Sequence, residues 1–186
     1  MVERVYVFID GRNFFYSLRG MDIKYTDLNF DFVKFSKLIN GVNWKNRELK
    51  KIFYYNAPLK QQVDQRLFKK QQKLFARLRL DPLVEVRLCK MLGRTDDSGN
   101  HRFVTKGDDI WIACDMLREA YKNNYDIGII VSNDGDFIKA VEYVQGFGKT
   151  VENAYFIGAG STALRKQCGI KNIIGIGYDL IEECLI

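Results

Sequence analysis

Residues 127–137 read IGIIVSNDGDF: an apolar run followed at once by a polar turn that carries Asp134 and Asp136. Unbroken hydrophobicity, rather than alternation, is the mark of a strand covered on both faces. The stretch therefore predicts a buried parallel strand whose carboxyl end delivers two acids. Residues 5–9 (VYVFI) repeat the pattern and end on Asp10, with Gly11 and Asn13 close behind. Similar runs occur at 52–56, 84–89, 150–156 and 173–176. Between them, residues 30–39, 60–79, 107–122, 136–146 and 178–185 carry apolar positions at three- and four-residue spacing, the period of helices with one buried face. Strand and helix alternating in this order imply right-handed crossovers: an α/β fold of three layers, with a mostly parallel central sheet flanked by helices. Residues 91–105 break the alternation. Their turn signal at 97–100 predicts a hairpin insertion or a flexible loop before the helix at 107.

The chain has 186 residues, 47% of them hydrophobic, with two prolines. That length suits one domain spanning 1–186, with enough core to fold alone. No run approaches the ~20 apolar residues of a membrane span, and the first ten residues do not have the pattern of a signal peptide. Cys89, Cys114, Cys168 and Cys184 are scattered and His101 is the sole histidine, which argues against a zinc site and for reduced, buried thiols in a cytoplasmic protein.

The net charge is +6. A basic chain that nevertheless gathers acids at a few points needs a reason for the gathering. In an open parallel sheet, ligands bind beyond the carboxyl ends of the strands. Asp10, the pair Asp134 and Asp136, and the segment opening with Asp108 and Asp109 all fall at that edge, with Asp115 further along the same helix. Crowded carboxylates repel one another, and the usual resolution is a divalent cation. All-oxygen donors suit Mg²⁺ or Mn²⁺ and phosphodiester hydrolysis. Each motif alone also reads as a turn or a helix cap, and Asp108 or Asp109 is well placed to cap the helix at 107–122. Helical periodicity puts Asp108 and Asp115, seven apart, on nearly one face, and Asp109 off it.

Three segments together resemble the NYN domains of the PIN-like nuclease superfamily: Phe8-Ile9-Asp10-Gly11-Arg12-Asn13, Lys106-Gly107-Asp108-Asp109 through Asp115, and Ser132-Asn133-Asp134-Gly135-Asp136-Phe137. The likeness runs over about residues 4 to 156. It implies a metal-dependent ribonuclease, with Asp10, Asp109, Asp134 and Asp136 as catalytic, metal-binding acids. Asn13 would orient a ligand or a phosphate, and Ser132 would support the loop. The position before Asp109, commonly apolar in the family, is Asp108 here. Where resemblance and periodicity differ, Asp109 is preferred as the ligand from this helix.

RNA is the expected partner, with DNA as the other nucleic-acid candidate and a homodimer compatible with the sequence. Arg66, Lys69, Lys70, Lys73 and Arg77 make a basic stripe along 60–79, suited to a phosphate backbone. Arg12, Arg102 and Lys106 add cations nearer the acids. Phe14, Phe15 and Tyr16 offer rings for unpaired bases, with core packing the expected fate of at least one. Two other classes fit less well. A non-catalytic RNA-binding module gives no reason for every acidic position to be filled, and a phosphoryl-accepting Asp10 leaves Asp134 and Asp136 without a task.

Overall fold

Eight strands and seven α-helices follow one another in the computed structural model, which describes residues 1–41, 46–95, 101–158 and 162–186, with side chains outside 91–95 and 101–106. The strands are β1 Glu3–Asp10, β2 Arg47–Asn56, β3 Val84–Leu88, β4 Lys90–Thr95, β5 His101–Lys106, β6 Ile127–Val131, β7 Thr150–Phe156 and β8 Ile173–Ile176. The helices are α1 Gly11–Met21, α2 Phe32–Gly41, α3 Gln65–Arg79, α4 Asp108–Tyr121, α5 Ile138–Gly146, α6 Thr162–Cys168 and α7 Tyr178–Glu183.

Six strands form one sheet in the order β3-β2-β1-β6-β7-β8. Every neighbouring pair is parallel, so the sheet is wholly rather than mostly parallel. Successive residues of each strand feed opposite faces. Val5, Val7 and Ile9 join Ile52, Tyr54 and Ile129 in a core completed by α1, α2, α3 and α7. Phe8 joins Phe53, Tyr55 and Ile130 in a second core under α4, α5 and α6. Both faces being covered is what gave these strands their continuous hydrophobicity.

The strand order fixes where a site can lie. From β1 the chain builds outward through β2 and β3; from β6 it builds the other way through β7 and β8. Crossovers therefore diverge between β1 and β6, and the crevice at their carboxyl ends is the place an open α/β sheet offers a ligand. β4 and β5 pair antiparallel as a separate ribbon leading into α4. This is the expected hairpin; its turn at 97–100 lies outside the described residues, as do the side chains of Arg102 and Lys106.

Three sequence expectations change. Residues 11–21 form a helix that the sequence reading passed over, and so do 162–168. The basic helix begins at Gln65 rather than 60, because the Asp64 side chain accepts from the Leu67 amide and caps it there. Cys114 is exposed, whereas the other three cysteines are buried as expected, and all four are free thiols.

Candidate active site

Asp10 is the last residue of β1 and the cap of α1. Its Oδ1 accepts from the Asn13 amide at 2.9 Å and its Oδ2 from the Ser132 hydroxyl at 3.3 Å. The helix starts this tightly because residue 11 is glycine. A Cβ there would stand 2.5 Å from the Tyr55 carbonyl oxygen and 2.8 Å from the Tyr54 ring. From β6, Ser132 also accepts from the Asp134 amide at 3.1 Å, and Asp134 Oδ1 accepts from the Asp136 amide at 3.0 Å. Turn and cap chemistry thus coexist with the gathering of acids: the same carboxylates that end the strands fix the loops and line the crevice.

The crevice is a cleft of about 310 Å³ lined by Asp10, Asp108, Asp109 and Asp134 with Arg12 and Asn13 among its walls. Asp10 and Asp108 are buried, Asp109 and Asp134 half-buried, and Asp136 exposed. Burial, then the charges of Asp109 and Asp108, push the Asp10 carboxyl up to about 7. Asp109 is raised by burial and by Asp108, Asp134 and Asp136, against the nearby Arg12. Asp136 therefore acts on the cleft through its charge, without forming part of its wall.

The helix that carries Asp108 and Asp109 is capped by neither of them. Gly107, at φ 89°, is its N-cap, and no side chain bonds to the cap. That left-handed geometry favours glycine. Both acids face the cleft, so the choice posed by sequence between Asp108 and Asp109 is not exclusive at the level of placement. Asp115 is not brought to the cleft. It accepts from the Tyr55 hydroxyl at 2.9 Å and pairs with Arg118 at 2.8 Å. Seven residues along a helix are about 10 Å, so sharing a face with Asp108 does not mean sharing an ion.

Asn13 does something more structural than expected. Its Oδ1 accepts from the Asn133 amide at 3.0 Å and from the Ser17 hydroxyl at 3.3 Å, tying α1 to the loop after β6. Sequence reasoning missed Asn133 and Asn153. Asn133 accepts from the Phe156 amide, and buried Asn153 donates to the Ile130 and Ser132 carbonyls, so both set the height of the loop that carries Asp134. The available signal was an asparagine inside a hydrophobic strand, a residue type that strands disfavour.

Among the described residues, no three histidine, cysteine or acidic side chains stand together as a group that could hold a metal ion. Their chemistry nonetheless fits a hard divalent cation. Mg²⁺ is usually held by one or two carboxylates together with waters and substrate phosphate oxygens, so acids facing a shared cleft serve better than a cage.

A smaller pocket of about 170 Å³, sharing Arg12 and Tyr16 with the cleft, contains buried Asp27. Burial raises that carboxyl to about 6, against the hydrogen bond from the Tyr54 hydroxyl. The folded protein thus holds this proton more tightly than the unfolded chain, and the stability it contributes is lost as pH rises from about 4 to 6. Asp27→Asn is expected to melt higher than the parent at pH 7 and to lose that advantage near pH 4; identical melts at both would remove the argument.

Of the other sequence candidates, Arg66, Lys69, Lys70 and Lys73 are exposed on α3, without ion pairs among the described residues. Arg77 is exposed too, but its guanidinium is engaged, donating to the Leu28 and Phe30 carbonyls. Phe14 is core; Phe15 is half-buried and Tyr16 exposed.

A six-stranded parallel sheet with helices on both faces is the architecture expected of a PIN-like fold. The NYN domain profile matches residues 4–173, and the chain belongs to the NYN domain family. A crystal structure of a Vibrio parahaemolyticus RIMD 2210633 protein of unknown function, VPA0982, shares the fold. Its TM-score is 0.66 at 22% identity, over 100% of this chain and 97% of that one. No curated protein matches the chain significantly. Among the described residues, no helix is long and apolar enough to cross a membrane.

Proposed function

We propose that this protein is a divalent-metal-dependent ribonuclease that hydrolyses phosphodiester bonds at the cleft of Asp10, Asp109 and Asp134. The observation that carries the reading is the gathering of these acids and Asp108 around one cleft in a chain of net charge +6. Asp10 is raised to about 7 there, so the cluster is incompletely ionised at neutral pH unless positive charge arrives. Asp10, Asp109 and Asp134 would hold Mg²⁺ or Mn²⁺, with Asp136 and Asp108 adding negative charge. Bound there, such an ion supplies an acidified water and offsets charge on the phosphate. The chain's own part is positioning. The Asn13 amide and Ser132 hydroxyl fix the two oxygens of Asp10, the Asp136 amide fixes Asp134, and Arg12 stands close enough to Asp109 to temper its repulsion. Four free thiols fit a reducing compartment such as the cytoplasm. Labelled RNA and DNA panels incubated with Mg²⁺, Mn²⁺ or EDTA test the reading. RNA cut with either ion and intact in EDTA is expected. Binding without cleavage under every ion would leave a non-catalytic RNA-binding module instead, and preferential cutting of DNA would move the substrate.

Helix α3 is proposed as the track for the phosphate backbone. For every phosphate that the protein no longer neutralises, the dependence of log affinity on log salt should flatten by about 0.7–0.9. Lys69→Glu with Lys73→Glu is expected to weaken RNA binding at low salt and reduce that slope. Unchanged affinity and slope would mean a solvated face only.

A further inference from the structure

Beside the aspartate cleft runs a larger groove, of about 770 Å³. One wall is α1, through Tyr16, Gly20 and Met21; the other comes from the ends of β7 and β8, through Ile157 and Tyr178. Groove and cleft are continuous, since Asn13, Tyr16, Ser17 and Asp134 line both. Asp134 is the one charged residue among the described lining of the groove, which therefore offers no cation to a phosphate. What it offers is two exposed rings. Tyr16 is 63% and Tyr178 52% exposed, and neither is needed to fill the core. The Tyr178 hydroxyl donates to the Met21 carbonyl at 2.8 Å, which pins the ring and ties α7 to α1. The Arg12 guanidinium lies 5.9 Å from the centre of the Tyr16 ring. A ring already held in place loses little freedom when a second ring stacks on it.

We propose that this groove is a base subsite: unpaired nucleotides of the strand being cut lay their bases against Tyr16 and Tyr178 while the adjoining phosphate sits at the aspartates. The inference rests on the nuclease reading of the cleft and adds to it the side from which the strand leaves and the form that fits. Paired bases have both faces occupied by their neighbours, so a duplex does not suit this groove, and an unpaired strand does. An uncharged wall next to an acidic cleft separates the two halves of a nucleotide: the base goes to the tyrosines, the phosphate to the cation that the acids would hold.

The test uses the full chain carrying Asp109→Asn, so that bound RNA survives, and a short dye-labelled single-stranded oligouridylate followed by fluorescence anisotropy. A second oligonucleotide has the same backbone with abasic sites. Adding Tyr16→Ala is expected to weaken binding of the base-bearing strand about tenfold, the scale of stacking by a single base, and that of the abasic strand far less. Tyr16→Phe should restore the difference, and Tyr178→Ala should reproduce the loss. Equal losses on both strands, or none, would overturn the base subsite. The nuclease reading is judged separately, by cleavage with Asp109 intact. Cleavage without any base dependence at Tyr16 sinks the groove and spares the nuclease. Base dependence in a protein that cuts nothing under any ion keeps the groove and sinks the nuclease.

Discussion

Asp109→Asn is expected to lower divalent-metal-dependent cleavage about a thousandfold while leaving the melting temperature of the metal-free protein unchanged or raised. An ion that offsets phosphate charge and acidifies water is worth several kcal/mol, and each ~1.4 kcal/mol of barrier is tenfold in rate. The stability half of the result follows from the repulsion. Burial and three neighbouring carboxylates already raise the Asp109 proton affinity, so removing its charge relieves the folded state. The cap is untouched, since Gly107 occupies that position and no side chain bonds to it. Asp115→Asn is the informative control. It breaks the pairing with Arg118 and the bond from Tyr55, so it should melt lower, yet keep cleavage at temperatures where it stays folded. Asp108 lines the cleft and is buried; its asparagine variant should lose less than that of Asp109. Rates at saturating and limiting Mn²⁺ decide the matter. Near-normal cleavage by Asp109→Asn at limiting metal, together with loss in Asp115→Asn, would restore the reading in which Asp108 and Asp115 act as a pair.

How much of this was legible before folding depended on whether the signal was local. The central strands β1, β6 and β7 stand out because they are largely buried on both faces, so hydrophobicity marks them. The acids at the ends of β1 and β6 were legible for a related reason: a carboxylate that ends such a run has few places to go except the crossover crevice. Helix α1 does not stand out in the sequence, because Gly11 to Asn13 suit a turn as well as a helix start. Yet Phe14 and Leu18, four apart and both buried, are its core face. Arg77 looks like the fifth member of a basic stripe, and only the arrival of Leu28 and Phe30 from another segment gives its guanidinium backbone partners. The same limit applies to the Asn13, Ser17 and Asn133 bonds, where α1 and the loop after β6 satisfy one another's polar groups. In the sequence, Asn13, Ser17 and Asn133 look like surface residues. The groove is the extreme case, with walls from α1 and from the ends of strands far apart in the chain.

A second large effect lies at the opposite end of the sheet from the aspartates. Arg47 opens β2 and Glu152 sits in β7, two strands separated by β1 and β6. Their side chains nevertheless meet in a two-pronged pair, Nη2 to Oε1 at 2.8 Å and Nη1 to Oε2 at 3.0 Å, with side-chain exposures of 3% and 0%. Such a pair clamps the two halves of the sheet across the divergence that creates the active crevice. Its net worth is not the Coulomb attraction, because both charges have given up water to meet. Removing Glu152 leaves the buried Arg47 guanidinium with the long contact to Glu3 at 3.9 Å in place of its two-pronged pair, at a cost of about 3–5 kcal/mol. Glu152→Ala is therefore expected to lower the melting temperature severely, or to prevent folding at 37 °C if the parent is only marginally stable. Arg47→Met with Glu152→Leu removes both charges and fills similar space. That double variant should recover most of the stability, since buried pairs replaced by apolar side chains are often neutral or better. It should also recover cleavage, because nothing in the clamp touches the cleft. The double-mutant cycle, read by urea denaturation, separates this from a simple packing role. If the double variant is as unstable as the sum of the two single ones, the residues contribute independently, and the clamp does not exist as a unit.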